Sequence, residues 1–99
     1  MEVLLDQALR AVSDPTRRQI LRMVAIGEFS AGEIASRFSM TRPAVSQHLG
    51  VLLKAGLIRV KSKAQQRLYS LDANGLEVLF NDMEKFWEEV FEPETVGAP

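Results

Sequence analysis

Two adjacent segments of the chain open with the same helix-starting device. In "FSAGEIASRF", Ser30 precedes Glu33 by three residues, the spacing of a capping box, with Phe29 and Ile34 at the flanking staple positions. Eleven residues on, "MTRPAVSQHLGVLLK" begins with Thr41 as N-cap and Pro43 in the first turn, and Met40 and Val45 take the staple positions. Each segment predicts a helix, and the gap between them leaves room only for a tight turn. Two short capped helices joined this way outline a helix-turn-helix, whose second member lies in the major groove of DNA. Ala35 supplies the small residue where the two would cross.

The flanking sequence fits around this pair. Leu4, Leu5, Leu9 and Val12 recur near helical spacing and predict a first helix over residues 3 to 12. "SDPTRRQILRMVAIG" starts a second, with Asp14 as N-cap, Pro15 at the first helical position, Ile20, Leu21, Val24 and Ala25 on the buried face, and Gly27 as the stop. After the helix-turn-helix, Gly56 suits a left-handed cap. "LIRVKSKAQQRLYSL" then alternates Ile58, Val60 and Leu68, with Tyr69 as a further candidate, about a polar middle. This predicts a two-stranded hairpin whose tip carries Lys61, Lys63, Gln65, Gln66 and Arg67, suited to lying along a phosphate backbone or in a minor groove. A last helix runs from an Asp72 cap through "NGLEVLFNDMEKFWEEVF", and "PETVGAP", residues 93–99, reads as a disordered tail.

The expected fold is therefore mostly α with a small β-hairpin: a winged helix-turn-helix of five helices and a two-stranded wing, one domain over residues 1–92. On the second helix of the pair, about 100° per residue puts Val45, Leu49, Leu52 and Leu53 on one side, with Pro43, Gln47, Gly50 and Lys54 opposite and Arg42, Ser46 and His48 at the edges. Glutamine can pair bidentately with adenine, serine with several bases, and arginine with guanine or a phosphate. Gly50 is open to two readings, a tolerated surface glycine or a place where something approaches closely.

Net charge of −1 conceals a division along the chain. Residues 10–69 hold eleven Lys/Arg against three acids, whereas residues 70–99 hold one lysine against eight acids. A basic half beside an acidic one fits a phosphate-facing surface backed by a solvent- or partner-facing one, or simply two solvated faces. Zero cysteines and one histidine remove thiolate metal sites and leave no nucleophile and base to pair, so catalysis has no candidate residues. No apolar run approaches a bilayer span, and the acidic start "MEVLLDQALR" lacks the basic region of a signal peptide, which predicts a cytoplasmic protein.

The last helix bears Leu76, Leu79, Phe80, Met83, Phe86, Trp87, Val90 and Phe91 at intervals of three and four. A domain this small already fills its core with Ile20, Leu21, Ile34, Val45, Leu49 and Leu52, so this stripe either folds back internally or meets a second copy of itself.

The order of helices and the segments "SDPTRRQIL", "EIASRFSMTRPAVSQHLGVLLKAGLI" and "RLYSL" resemble the ArsR/SmtB family of winged-helix repressors over residues 4 to about 91. The resemblance implies a homodimer joined through the first and last helices, here Leu4, Leu5, Leu9, Leu79, Phe80, Met83, Phe86, Trp87 and Val90. It implies DNA reading by Thr41, Arg42, Ala44, Ser46, Gln47 and His48, with the wing at Lys61 to Arg67, on an inverted-repeat operator in double-stranded DNA. His48 is read as a DNA contact or a helix-edge hydrogen bond.

Three departures stand out. Metal-sensing members often place a Cys-x-Cys pair where this chain has Ser30 and Gly32, or gather histidine and carboxylates on the last helix, so no metal or cofactor is expected here. The turn carries Ser39 and the wing tip Ala64-Gln65 where relatives commonly use glycine. The effector stays open between a small apolar ligand at the dimer seam, a partner protein and none at all. The alternative function is a winged-helix protein-interaction module held through the aromatic last helix.

Overall fold

The computed structural model describes residues 2–91, with side chains from residue 5 onward. In chain order they form α1 (Glu2–Ser13), α2 (Pro15–Val24), β1 (Phe29–Ser30), α3 (Ala31–Phe38), α4 (Arg42–Lys54), β2 (Ile58–Lys63), β3 (Gln66–Leu71) and α5 (Ala73–Phe91). The side chain of Leu4 and the tail at 93–99 lie outside the described residues.

Each of the four predicted N-caps is visible as hydrogen bonds. The Asp14 carboxylate accepts from Arg17 N–H at 3.0 Å, and Pro15 opens α2. Ser30 and Glu33 satisfy each other's backbone N–H groups at 3.1 and 2.8 Å, closing the capping box. The Thr41 hydroxyl accepts from Ala44 N–H at 3.2 Å, and Asp72 Oδ1 from Gly75 N–H at 3.1 Å. Side-chain oxygens thus satisfy amides that have no partner in the first turn of a helix.

Two helices end by the same motif. After α4, Gly56 at φ 77° lets its N–H reach the Leu53 carbonyl at 3.0 Å while Leu57 N–H reaches Leu52 at 3.1 Å. After α3, Ser39 at φ 54° does the same, with its N–H to Ser36 at 3.4 Å and Met40 N–H to Ala35 at 2.9 Å. This is the Schellman pattern, in which a left-handed residue turns the chain sharply away from the helix axis. The second instance is the turn of the helix-turn-helix, built with serine in the glycine position.

The core gathers from the predicted faces of α2, α3 and α4. Ile20, Val24, Ile34, Val45, Leu49, Leu52 and Leu57 are fully buried and Ala35 is buried among them. Each large aliphatic side chain so buried contributes roughly 1.5–3 kcal/mol relative to exposure.

The sheet departs from expectation in two ways. It has three strands in the order β1-β3-β2, because the extended backbone that leads into the Ser30 cap pairs antiparallel with β3, Phe29 opposite Tyr69 and Ser30 opposite Leu68. In the hairpin Ile58 stands opposite Leu71 and Val60 opposite Tyr69, so Tyr69 and Leu71 share the core side with Ile58 and Val60. Leu68, expected with Ile58 and Val60, falls on the other side, since neighbouring strand residues alternate faces. Only Ala64 and Gln65 form the turn, and Ala64 takes φ 56°.

Candidate nucleic-acid interface

α4 presents two faces set by its periodicity. Val45, Leu49 and Leu52 are buried, Leu53 and Ala44 are half-buried, and Thr41, Arg42, Pro43, Ser46, Gln47, Gly50 and Lys54 are exposed. Thr41 already spends its hydroxyl on the helix cap. Nothing lies within 4 Å of where a Gly50 side chain would begin, so within the protein that glycine fills no steric need.

The wing folds back toward this face. One open groove of about 730 Å³ is lined by Ser30, Gly32 and Glu33 from the start of α3, Arg42 and Ser46 from α4, and Gln65, Gln66, Arg67 and Tyr69 from the wing. Sequence positions more than twenty apart thus line one surface with amide, hydroxyl and guanidinium groups. A Cβ at Gly32 would stand 3.4 Å from Arg42 Nη1, an ordinary contact, so the Arg42 guanidinium lies over the start of α3. Where metal-sensing members of the family that this sequence resembles often carry a cysteine pair, this chain has Ser30, which caps α3, and Gly32.

Not all the expected wing residues stand alike. Lys61 Nζ forms an ion pair with Glu28 at 2.9 Å, which ties the loop before β1 to β2. The Lys61 hydrogen bond, with its charge and those of Lys63 and Arg59, holds the Glu28 carboxyl below the ordinary glutamate range against some desolvation. Lys63 and Arg67 are exposed and carry no ion pair among the described residues.

His48 stands apart from the rest of the set. It is half-buried, and its Nδ1 lies 3.2 Å from Arg17 Nη1 on α2. With Arg17, Gln47, Gly50, Val51 and Lys54 it lines a second, shallower hollow on α4. In the sequence Arg17 is one of the eleven cations of residues 10–69, with nothing else to single it out except its place three residues after an N-cap aspartate, at the junction of two helices.

α5 carries a broad exposed apolar stripe. Along α5, Phe80 is 65% exposed, Trp87 59%, Phe86 53% and Val90 48%, and Met83 is also exposed. Leu79 packs on the core, and Leu5 and Leu9 are half-buried on α1, which lies against α5. Among the described residues no cluster of His, Cys, Asp and Glu could hold a metal ion, and no helix is long and apolar enough to cross a membrane.

Residues 12–61, which run from the end of α1 into the first strand of the wing, match the family model described as a helix-turn-helix domain. Over 82 residues the chain is 43% identical to the HTH-type transcriptional regulator Rv2034 of Mycobacterium tuberculosis, spanning 83% of this chain and 77% of that protein. The chain belongs to the ArsR/SmtB family of transcriptional regulators. The transcriptional repressor SdpR of Bacillus subtilis is 38% identical over 83% of this chain and 91% of its own length. A crystal structure described as a possible transcriptional regulator for arsenical resistance superposes with a TM-score of 0.75 at 32% identity, covering 94% of this chain and 97% of that one. Family membership makes the chain a DNA-binding transcription regulator with a winged helix-turn-helix fold, and not an enzyme.

Proposed function

We propose that this regulator acts as a homodimeric repressor in the cytoplasm, binding an inverted-repeat operator through Thr41, Arg42, Ala44, Ser46, Gln47 and His48 on α4 and Lys61, Lys63, Gln65, Gln66 and Arg67 on the wing, without a metal effector. The observation that carries the reading is the single groove shared by Arg42 and Ser46 with Gln65, Gln66 and Arg67. A major-groove helix and a phosphate-following wing must act on one duplex, and this groove makes their surfaces continuous.

Dimerisation is supported by the aromatic stripe on α5, too large an apolar surface for a small monomer to leave in water. A winged helix-turn-helix domain from Mycobacterium bovis with the same fold is described as homodimeric. Repression follows SdpR, although the relative HlyU of Vibrio cholerae is named an activator. Independence from metals is supported by a composition of one histidine and no cysteine, since transition metals favour imidazole and thiolate donors.

The test is selection of bound sequences from a random DNA pool. Wild type should return an inverted repeat with half-sites about 34–36 Å apart. The Arg42→Ala plus Gln47→Ala variant should lose the motif, and a variant that selects the same motif with equal strength would overturn the assignment of α4.

A further inference from the structure

Arg17 lies outside the helix-turn-helix, yet its side chain ends on the proposed reading helix. Nε donates to the Ala11 carbonyl at 2.8 Å, Nη2 donates to the Arg10 carbonyl at 2.9 Å, and Nη1 stands 3.2 Å from His48 Nδ1. The last carbonyls of α1 therefore clamp the guanidinium in one orientation. Its own backbone N–H is held by the Asp14 carboxylate, which fixes the start of the side chain as well.

A guanidinium has five donors, no acceptor, and keeps its proton. The ring nitrogen facing it must then offer a lone pair. An imidazole whose Nδ1 is a lone pair carries its hydrogen on Nε2. We propose that Arg17 locks His48 in the Nε2–H tautomer, so that this position of α4 offers the duplex one hydrogen-bond donor and no acceptor. Arg17 is thereby a positioning residue for sequence specificity. The proposal rests on the DNA-reading role of α4 set out above.

The consequence for base choice is chemical. A neutral histidine free to exchange tautomers can donate to guanine, to adenine N7 or to thymine O4, and can equally accept from the amino groups of adenine or cytosine. Locking Nδ1 onto Arg17 removes the accepting mode toward the groove. His48 then favours base edges that present acceptors, guanine foremost. The hollow it lines with Gln47 and Gly50 is open, and Gly50 places no side chain between it and a bound duplex.

Because the chain has one histidine, its imidazole nitrogens can be read by NMR without assignment. Wild-type protein in mildly alkaline buffer should show a protonated Nε2 and a pyridine-like Nδ1, and Arg17→Met should move both toward the average of two exchanging tautomers. A protonated Nδ1 in wild type would overturn the proposal directly. In random-pool selection, His48→Ala and Arg17→Met should relax the same single position of each half-site, from a preference of roughly fivefold or more to about twofold, leaving the other positions selective. Arg17→Lys, which keeps a donor on a shorter reach, should recover part of that preference.

Arg17→Met also removes two bonds to the end of α1, so a merely structural role predicts a different pattern: weaker binding spread evenly over all positions, as would a phosphate contact from His48. Either pattern overturns the proposal, as would relaxation of different positions by the two variants. A wild-type motif that survives Arg42→Ala plus Gln47→Ala would instead sink the underlying reading of α4, a failure the tautomer measurement keeps separate. If Arg17→Met does not fold, Arg17→Lys with the wild-type spectrum decides.

Discussion

Gly75, in the first turn of α5, lies directly against the carbonyl oxygen of Gly56, where a Cβ at position 75 would overlap that oxygen. The two glycines serve different needs. Gly56 requires its left-handed φ of 77°, but a Cβ there would meet nothing within 4 Å. Gly75 needs only the space. Gly75→Ala forces α5 away from the end of α4 and should cost about 1–3 kcal/mol or more, as overpacking against rigid backbone does. Gly56→Ala should cost about 1–2 kcal/mol through backbone strain alone. Urea unfolding of the two variants tests the order, and only Gly75→Ala should also disturb dimerisation, because it displaces the helix that bears the aromatic stripe.

Ser39 occupies the left-handed position of the helix-turn-helix at φ 54°. Ser39→Gly should stabilise the domain by roughly 0.5–1 kcal/mol, raising Tm by a few degrees, since relief of the side-chain strain outweighs the extra freedom of the unfolded chain. A lower Tm would mean that the serine hydroxyl contributes more than its backbone strain costs. Ala64 at the wing tip, φ 56°, has the same left-handed geometry and, like Ser39, is exposed. Ala64→Gly should therefore raise Tm by a similar few degrees.

These two residues show what the sequence could and could not reveal. Ser39 and Ala64-Gln65 were recognisable as places where glycine is usual, and the backbone there is left-handed at Ser39 and Ala64. The capping box, the other N-caps and the buried face of α4 were legible because they depend on residues three or four apart, which share a helix face whatever the rest of the chain does. Contacts across elements were not. The Arg17 to His48 approach, the Gly75 to Gly56 packing and the addition of β1 to the sheet join residues far apart in sequence, and no local period encodes which pairs meet. The misplacement of Leu68 has a similar origin, because its face depends on the hairpin register, and that register is set by the two-residue turn.

Charge on the wing is unevenly available to a phosphate backbone. Lys61 is committed to Glu28, whereas Lys63 and Arg67 are not paired among the described residues. Each phosphate neutralised adds roughly 0.9 to the log–log salt slope of binding. Lys63→Ala and Arg67→Ala should therefore each flatten the slope by close to that amount, with Lys61→Ala flattening it less. Glu28→Gln releases Lys61 and should steepen the slope while tightening binding at low salt. Equal effects of the three cation removals would show that the ion pair does not persist on DNA.

Two carboxylates make folding sensitive to acid. The backbone hydrogen bond from Arg17, opposed by desolvation and helped by the charge of Arg17 and by Thr16 N–H, holds the Asp14 carboxyl below the ordinary aspartate range. Glu28 is lowered chiefly by its hydrogen bond from Lys61. A carboxyl with a lower pKa in the folded state favours folding at pH values above its unfolded pKa, and that contribution disappears as pH falls through the folded value. The urea midpoint should drop between about pH 5 and pH 2, and Asp14→Asn and Glu28→Gln should each shrink the drop. A variant whose pH profile runs parallel to wild type would remove that residue from the account.

Trp87 is the chain's one tryptophan and reports on the apolar stripe of α5 without a label. In a single chain it is 59% exposed, its ring 4.2 Å from that of Phe91 and tilted by 36°. If α5 pairs with its copy, raising the concentration should shift its emission to shorter wavelength as water leaves the indole, in step with the mass measured by sedimentation. Phe86, 53% exposed on the same stripe, tests the same surface from the other direction. Phe86→Glu places a charge where a partner helix would bury it, yet leaves the core around Ile20, Ile34 and Leu49 untouched. The variant should therefore stay folded, sediment as a monomer at micromolar concentration, and bind a full inverted repeat at least about a hundredfold more weakly, since two linked readers gain from the second contact being intramolecular. It should bind an isolated half-site as wild type does. A Phe86→Glu protein that remains dimeric, or a tryptophan spectrum that ignores concentration while mass doubles, would place the dimer contact somewhere other than α5.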